Sequence, residues 1–282
     1  MPADSPDSVD PTAVLRRLGL AEPTAVEPVT GGADALLWRA TVDDQAYALR
    51  VLRDGRREQA EQEVAIFRAL AGTAIPVPEV LATAVDADRP AYLMDWVAGR
   101  PLAEALLDPA TDENVRDRLM IDFGRLQRMI NELTGPDLPD RGPDWIERRS
   151  TGDAVDQRLR ALKVGEPRLL HLDYHPLNVL VRDDKIVAVL DWANATLGDP
   201  RYDRARTESI LALSPDPDGT LAPLLDRAIA AWRTGYDAAD DLDPDFRRWA
   251  GAAMLIDLAP RVGNPAVPWL TESHVARIRA YP

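Results

Sequence analysis

The stretch from His171 to Trp192 restricts what this 282-residue chain can fold into more than any other part of it. It reads His171-Leu172-Asp173-Tyr174-His175-Pro176-Leu177-Asn178, then two short apolar runs, 179–181 and 186–190, turned by Asp183-Asp184, and it ends on Asp191-Trp192. Two β-prone runs around a two-residue Asp turn predict a hairpin of short strands. An Asp is thus followed five positions later by an Asn, and a second Asp arrives at the end of an apolar strand. Oxygen donors in that number suit one base and two ligands for a hard cation. The three need one another for such chemistry, so the fold must bring them to one point.

The remaining pattern divides the chain in two. Asp10-Pro11 predicts an N-cap with proline at the first helical position, opening a short helix through about residue 18. Residues 36–41 and 45–52 alternate as two strands joined at Asp43-Asp44, with Tyr47, Leu49 and Val51 on one face of the second strand and Ala46, Ala48 and Arg50 on the other. Ala60, Val64, Phe67 and Ala71 predict a helix over 56–71, stopped by Gly72. Strands follow near 79–84 and 91–94. Beyond residue 98 the pattern turns helical. Leu119, Phe123, Leu126, Ile130 and Leu133 form one apolar stripe of a helix over about 111–133. A Pro-, Gly- and Asp-rich loop is expected at 135–146, and further helices at about 153–163, 202–213, 219–236, 244–260 and 270–280. The order is a strand-rich lobe, 1–98, of which 1–9 read as a disordered lead-in, then a helix-rich lobe, 99–282.

Composition closes several routes. There is no cysteine, which excludes disulfides, thiolate metal sites and cysteine nucleophiles. The acidic N-terminal residues have no apolar run, so no signal peptide is expected, and a cytoplasmic location is. Gly251 to Ile256 is too short to span a bilayer. The net charge of −14 repels phosphate backbones and anionic lipids. Neither nucleic acid nor membrane is expected as a partner, and a cationic small molecule suits the surface. Among the 33 basic residues only Lys163 and Lys185 are lysines.

The segments from His171 to Asn178, Val189 to Trp192 and Gly198-Asp199-Pro200-Arg201-Tyr202-Asp203 resemble the aminoglycoside phosphotransferase and choline kinase-like family, small-molecule relatives of the protein kinases. The resemblance extends more weakly over about 24–260. It implies an α+β, bilobal protein-kinase-like fold, with an antiparallel-sheet nucleotide-binding lobe and a mainly helical lobe that carries the catalytic loop and the acceptor site. It implies ATP, with GTP also admissible, and Mg²⁺ as cofactors. Asp173 would align the acceptor hydroxyl. Asn178 and Asp191 would bind the metal. Gly31 and Gly32 fall where the family covers the phosphates, and glycines there let backbone N–H groups approach them. Ala48 would leave room for the adenine. Glu63 matches the acidic partner of the strand cation, and Met94 the residue at the back of the adenine pocket. The Asp95 carbonyl and the Val97 N–H would hold the adenine edge. Asp203 matches an aspartate that bonds the catalytic loop from a helix behind it, and His171 would hold that loop in shape.

Arg50 departs from the protein-kinase pattern, which has lysine there. Arginine keeps the charge and forks two donors onto phosphate oxygens. The alternation of His171, Asp173 and His175 also fits a metal-hydrolase strand, but that leaves Asn178, Asp191 and the glycine pair without a role. As acceptor, the resemblance implies an aminoglycoside or related amino sugar, with choline-, homoserine- or sugar-like alcohols as alternatives. A catalytically degenerate nucleotide binder is the competing class. Asp237, Asp240, Asp241, Asp243 and Asp245 could gather the amines of a cationic acceptor.

Overall fold

The computed structural model describes residues 8–29, 35–134, 154–162, 165–216, 219–238, 242–265 and 267–281. The chain falls into two compact units, Met1–Gly99 with Val187–Ala193, and Arg100–Ile186 with Asn194–Pro282. The first unit therefore also takes in a segment that follows the hairpin turn.

In the first unit, strand β1 (Ala25–Val29) is followed by β2 (Ala35–Val42) and β3 (Gln45–Leu52). Asp43 and Asp44 between the latter two have φ of 47° and 62°, the left-handed pair that a tight hairpin turn requires. With β4 (Val80–Ala84) and β5 (Ala91–Asp95) they form a five-stranded antiparallel sheet in the order β1-β2-β3-β5-β4. One face buries Trp38, Ala40, Leu49, Val51, Ala91 and Leu93 against Leu15 of helix α1 (Pro11–Arg17). Each large apolar side chain removed from water there contributes roughly 1.5–3 kcal/mol. Asp10 caps α1 by accepting the N–H groups of Thr12 and Ala13. Of the expected disordered lead-in, Val9 packs on this core and Ser8 accepts a hydrogen bond from Arg89. An apolar residue just before a capped helix has a core within reach. The opposite face carries Ala48 opposite Met94 and Arg50 opposite Tyr92. Helix α2 (Arg57–Leu70) meets this face, with the Phe67 ring 6.3 Å from that of Tyr92. Within the same unit the Val189 N–H donates to the Pro76 carbonyl at 2.8 Å.

The second unit is mainly helical: α3 (Leu102–Leu107), α4 (Glu113–Glu132), α5 (Ala154–Ala161), α6 (Pro200–Ala212), α7 (Ala222–Tyr236), α8 (Pro244–Leu258) and α9 (Glu272–Arg279). Its strands are short. β6 (Arg100–Pro101) pairs with β8 (Val179–Arg182), β7 (Arg168–Leu170) pairs with β10 (Thr196–Gly198), and β9 (Lys185–Val189), whose last three residues are grouped with the first unit, follows β8 across Asp183-Asp184. The stripe of α4 is buried at Leu119, Phe123, Leu126 and Ile130. Helices α4 and α7 touch backbone to backbone. A Cβ on Gly235 would lie 1.9 Å from the Ile121 carbonyl oxygen, and one on Gly124 would lie 2.2 Å from that of Trp232. The core beneath α6 combines Leu170, Leu172, Tyr202, Ala205, Phe246 and Trp249. No helix among the described residues is long and apolar enough to cross a membrane.

Candidate active site

Strand alternation puts Arg50 on the α2 side of the first unit, and helical spacing puts Glu63 opposite it. Arg50 Nε lies 3.2 Å from Glu63 Oε2, and Arg50 Nη2 lies 3.4 Å from Asp191 Oδ1. Glu63 is buried, so its charge needs partners. Besides Arg50, the Tyr92 hydroxyl donates to its Oε2 and Gln59 Nε2 donates to its Oε1 at 2.9 Å. Burial raises the Tyr92 hydroxyl well above its ordinary pKa, and the neighbouring Glu63 charge adds to this against the pull of Arg50. Tyr92 therefore stays a donor. Asp191 follows β9 with φ 58°, and its side chain is partly exposed.

Ala48 and Met94 are buried on the same sheet face as Arg50. Asp95 ends β5. Its N–H donates to the Glu79 carbonyl, and its carboxylate accepts the Glu79 N–H. Burial moves the Asp95 carboxyl above its usual value, with the Glu79 charge adding to the rise and backbone hydrogen bonds opposing it. Val97 lies just past the strand. Gly31 and Gly32 lie outside the described residues.

The second unit carries Asp173 on the loop after β7. Leu172 before it has φ 61°, a strained conformation for a branched side chain, and it is held at both ends. Its N–H donates to Asp203 Oδ1 at 2.6 Å, and its carbonyl accepts from Arg206 Nε at 3.4 Å. Asp203 and Arg206 are one turn apart on α6, so a single helix clamps the residue. The Asp173 carboxylate lies 3.6 Å from His175 Nε2. Burial alone would raise its pKa. The neighbouring His175 imidazole, then Arg206 and His171, outweigh that and hold the carboxyl well below the ordinary range.

Asn178 folds back on the loop. Its N–H donates to the His175 carbonyl at 2.9 Å, and its Nδ2 donates to the Asp173 carbonyl at 3.0 Å. His171 is fully buried, and its Nδ1 accepts the Asp173 N–H at 3.3 Å. Nδ1 of His175 accepts the Leu177 N–H at 3.3 Å. Both histidines thus spend a ring nitrogen on the loop backbone. Among the described residues no three His, Cys, Asp or Glu side chains gather to hold a metal.

The acidic run in the second unit is occupied where it is described. Asp237 pairs with Arg128, Asp243 caps α8 at the Asp245 N–H, and Asp245 pairs with Arg158 and Arg248. Asp240 and Asp241 lie outside the described residues. Sequence reasoning missed Tyr92, Gln59 and Arg206. The available signals were a tyrosine hydroxyl inside an apolar strand, a glutamine one turn before Glu63, and an arginine one turn after Asp203.

Residues 25–242 match the family model described as the phosphotransferase enzyme family. Solved structures match over nearly the whole chain. A protein of Ralstonia eutropha JMP134, named only provisionally as an aminoglycoside phosphotransferase, superposes with a TM-score of 0.68 at 20% identity, covering 95% of this chain and 94% of its own. Amicoumacin kinase in complex with AMP-PNP, Ca²⁺ and its ligand gives 0.64 at 16% identity, covering 97% and 93%. An aminoglycoside phosphotransferase in a ternary complex with AMP-PNP and hygromycin B gives 0.63 at 17%, covering 95% of each chain. These likenesses are of fold. Acyl-CoA dehydrogenase family member 10 of Mus musculus is 28% identical over 171 residues, 51% of this chain and 16% of the mouse protein, so the match spans under a fifth of that relative. The family match covers well over half of the sequence, and with the antiparallel sheet and the helical unit above it shows that this chain belongs to the phosphotransferase enzyme family and has its protein-kinase-like fold.

Proposed function

We propose that this chain is an ATP- and Mg²⁺-dependent kinase that moves the γ-phosphate to a hydroxyl of a small molecule, an aminoglycoside or related amino-sugar compound. The observation that carries the reading is the Asp173 loop. Its carboxylate is held ionised, and Asn178 spends its amide nitrogen on the Asp173 carbonyl, which leaves its oxygen as the atom suited to a hard cation. Magnesium would suit these residue types, an amide oxygen at Asn178 and a carboxylate at Asp191, since that ion shares its remaining ligands with phosphates and water. That ion would supply charge neutralisation on the nucleotide phosphates.

The protein's own part is positioning. Asp173 accepts the hydrogen bond of the acceptor hydroxyl and orients it. A loose phosphoryl-transfer transition state asks for alignment more than for a strong base. Arg50, kept in place by Glu63, offers its guanidinium to phosphate oxygens. Transfer is direct, without a covalent enzyme intermediate. ATP is the proposed donor, and GTP is compatible with the same residues. The net charge of −14 supports a cationic acceptor, as do the antibiotics named for the similar structures.

A competing reading, a nucleotide binder without chemistry, draws on Arg50 standing where protein kinases have lysine. The test is an ATP-consumption screen with Mg²⁺ against aminoglycosides and choline-, homoserine- and sugar-like alcohols. A Mg²⁺-dependent hit that vanishes in Asp173→Asn is expected. Nucleotide binding with no Mg²⁺-dependent turnover, even slow hydrolysis, would favour the binder.

A further inference from the structure

Asp203 is completely buried and accepts from more than the loop. Its Oδ2 takes hydrogen bonds from two side chains of α4, Asn131 Nδ2 at 2.9 Å and Gln127 Nε2 at 3.3 Å. Both amides are themselves buried and use their remaining groups. Gln127 Nε2 also donates to Thr207 Oγ1 at 2.8 Å, and that hydroxyl donates to the Tyr174 carbonyl at 2.9 Å. Gln127 Oε1 accepts from Trp232 Nε1 at 2.8 Å. Asn131 Nδ2 donates to the Leu169 carbonyl at 2.9 Å, and its Oδ1 accepts from the Tyr236 hydroxyl at 2.9 Å.

The network has an order. Trp232 and Tyr236 on α7 fix which end of each amide faces inward. The inward NH₂ groups of Gln127 and Asn131 then set Asp203 and Thr207 on α6. Asp203 and Thr207 in turn hold the residues on either side of Asp173, Leu172 through its N–H and Tyr174 through its carbonyl. The Gly124 and Gly235 contact brings α4 and α7 close enough for those outer bonds. Leu172 would leave its left-handed conformation if released, and Asp173 is the next residue.

We propose that Gln127 and Asn131 are positioning residues for Asp173: they aim Asp203 and Thr207 at the catalytic loop, and the indole of Trp232 and the hydroxyl of Tyr236 set their amides. The proposal deepens the kinase reading and rests on it for its catalytic consequence only. Its structural half stands without nucleotide.

The test uses the full chain and four variants: Gln127→Met, Asn131→Leu, Tyr236→Phe and, as a control of similar burial outside the hydrogen-bond network but in the apolar core that Leu172 shares with α8, Leu159→Ala. Hydrogen exchange at the Leu172 amide is read first, without nucleotide. The Gln127 and Asn131 variants are expected to speed it about tenfold or more relative to amides of the α8 interior, and Tyr236→Phe, which removes one hydroxyl and keeps the ring, less. Leu159→Ala should loosen both regions together. Mg²⁺-dependent ATP hydrolysis is read second. In the Gln127 and Asn131 variants kcat should fall about tenfold to a hundredfold with KM for ATP unchanged, the size of effect a small misplacement of a catalytic group produces. Exchange that rises equally across the unit, or a kcat per folded molecule equal to wild type, would overturn the proposal. Absence of any hydrolysis in the wild type would strike the kinase reading instead, and the exchange data would still decide the relay. If Gln127→Met or Asn131→Leu fails to fold, Tyr236→Phe still gives both readouts.

Discussion

Arg50 and Glu63 form a buried ion pair, Nε to Oε2 at 3.2 Å, on the face of the first sheet that does not carry its apolar core. A charge as enclosed as Glu63 is costly unless it is paired and hydrogen-bonded; Arg50 supplies the counter-charge, and Tyr92 and Gln59 donate to it. The pair gives a first prediction. Glu63→Ala leaves Arg50 without this counter-charge and the Tyr92 hydroxyl without its acceptor, and should destabilise the protein by about 3 kcal/mol. Urea denaturation reads this directly, and a change under about 1 kcal/mol would show that the set is not an energetic unit.

Tyr92→Phe removes one donor and leaves the ring packed on Phe67. Stability should fall by about 1 kcal/mol. If Arg50 holds nucleotide phosphates, the KM for ATP should rise while kcat changes little, because Glu63 then holds Arg50 less firmly. An ATP affinity identical to wild type would separate Tyr92 from that role.

The Asp173 carboxyl is held below its ordinary pKa, which fixes the sign of its pH dependence. Its contribution to stability is present in full above the unfolded value, about 3.9, and is lost as the pH falls through the lower folded value. Asp173 stays ionised throughout mildly acidic conditions, so it should add no acid limb to the kcat profile above about pH 4. An acid limb in the wild-type kcat profile near pH 6 that is lost in Asp173→Asn would contradict an ionised Asp173.

Asp191→Asn keeps the size of the side chain and halves its appeal to a hard cation. Mg²⁺-dependent nucleotide binding should weaken about tenfold or more, while binding without Mg²⁺ changes little. Isothermal titration at several Mg²⁺ concentrations gives the comparison, and equal affinities at all of them would remove Asp191 from the metal.

Gly235→Ala puts a methyl group into the backbone of α4. With the Ile121 carbonyl 1.9 Å from the added carbon, the helices must separate. A loss of about 1–3 kcal/mol is expected, with faster exchange of the Leu172 amide as the outer bonds to Gln127 and Asn131 lengthen. Unchanged stability would show that α7 can shift without cost.

Much of this fold is legible in the residues. Both two-residue turns are Asp-Asp pairs between alternating strands, α1, α4, α6 and α8 begin at Asp or Asp-Pro caps, and α4 follows an apolar stripe. Strands β6 and β10, of two and three residues, are too short for any periodicity to show. At the site, Arg50 and Glu63 follow from strand alternation and helical spacing. Tyr92 does not, because β5 is buried almost throughout and its tyrosine reads as one more core residue. Gln127 and Asn131 were visible in principle. Phe123, Gln127 and Asn131 stand four apart on α4, a row that starts apolar and turns polar while remaining buried. A stripe drawn only through apolar residues passes beside it.

The grouping of Val187–Ala193 with the first ninety-nine residues has a consequence for anyone cutting this gene. A fragment ending at Gly99 would not be half of the protein. It would lack the peptide whose Val189 N–H closes on Pro76, and with it the Asp191 carboxylate beside Arg50. A chimera that swaps the first unit between relatives therefore has three junctions to make, and residues 187–193 must travel with the unit they belong to.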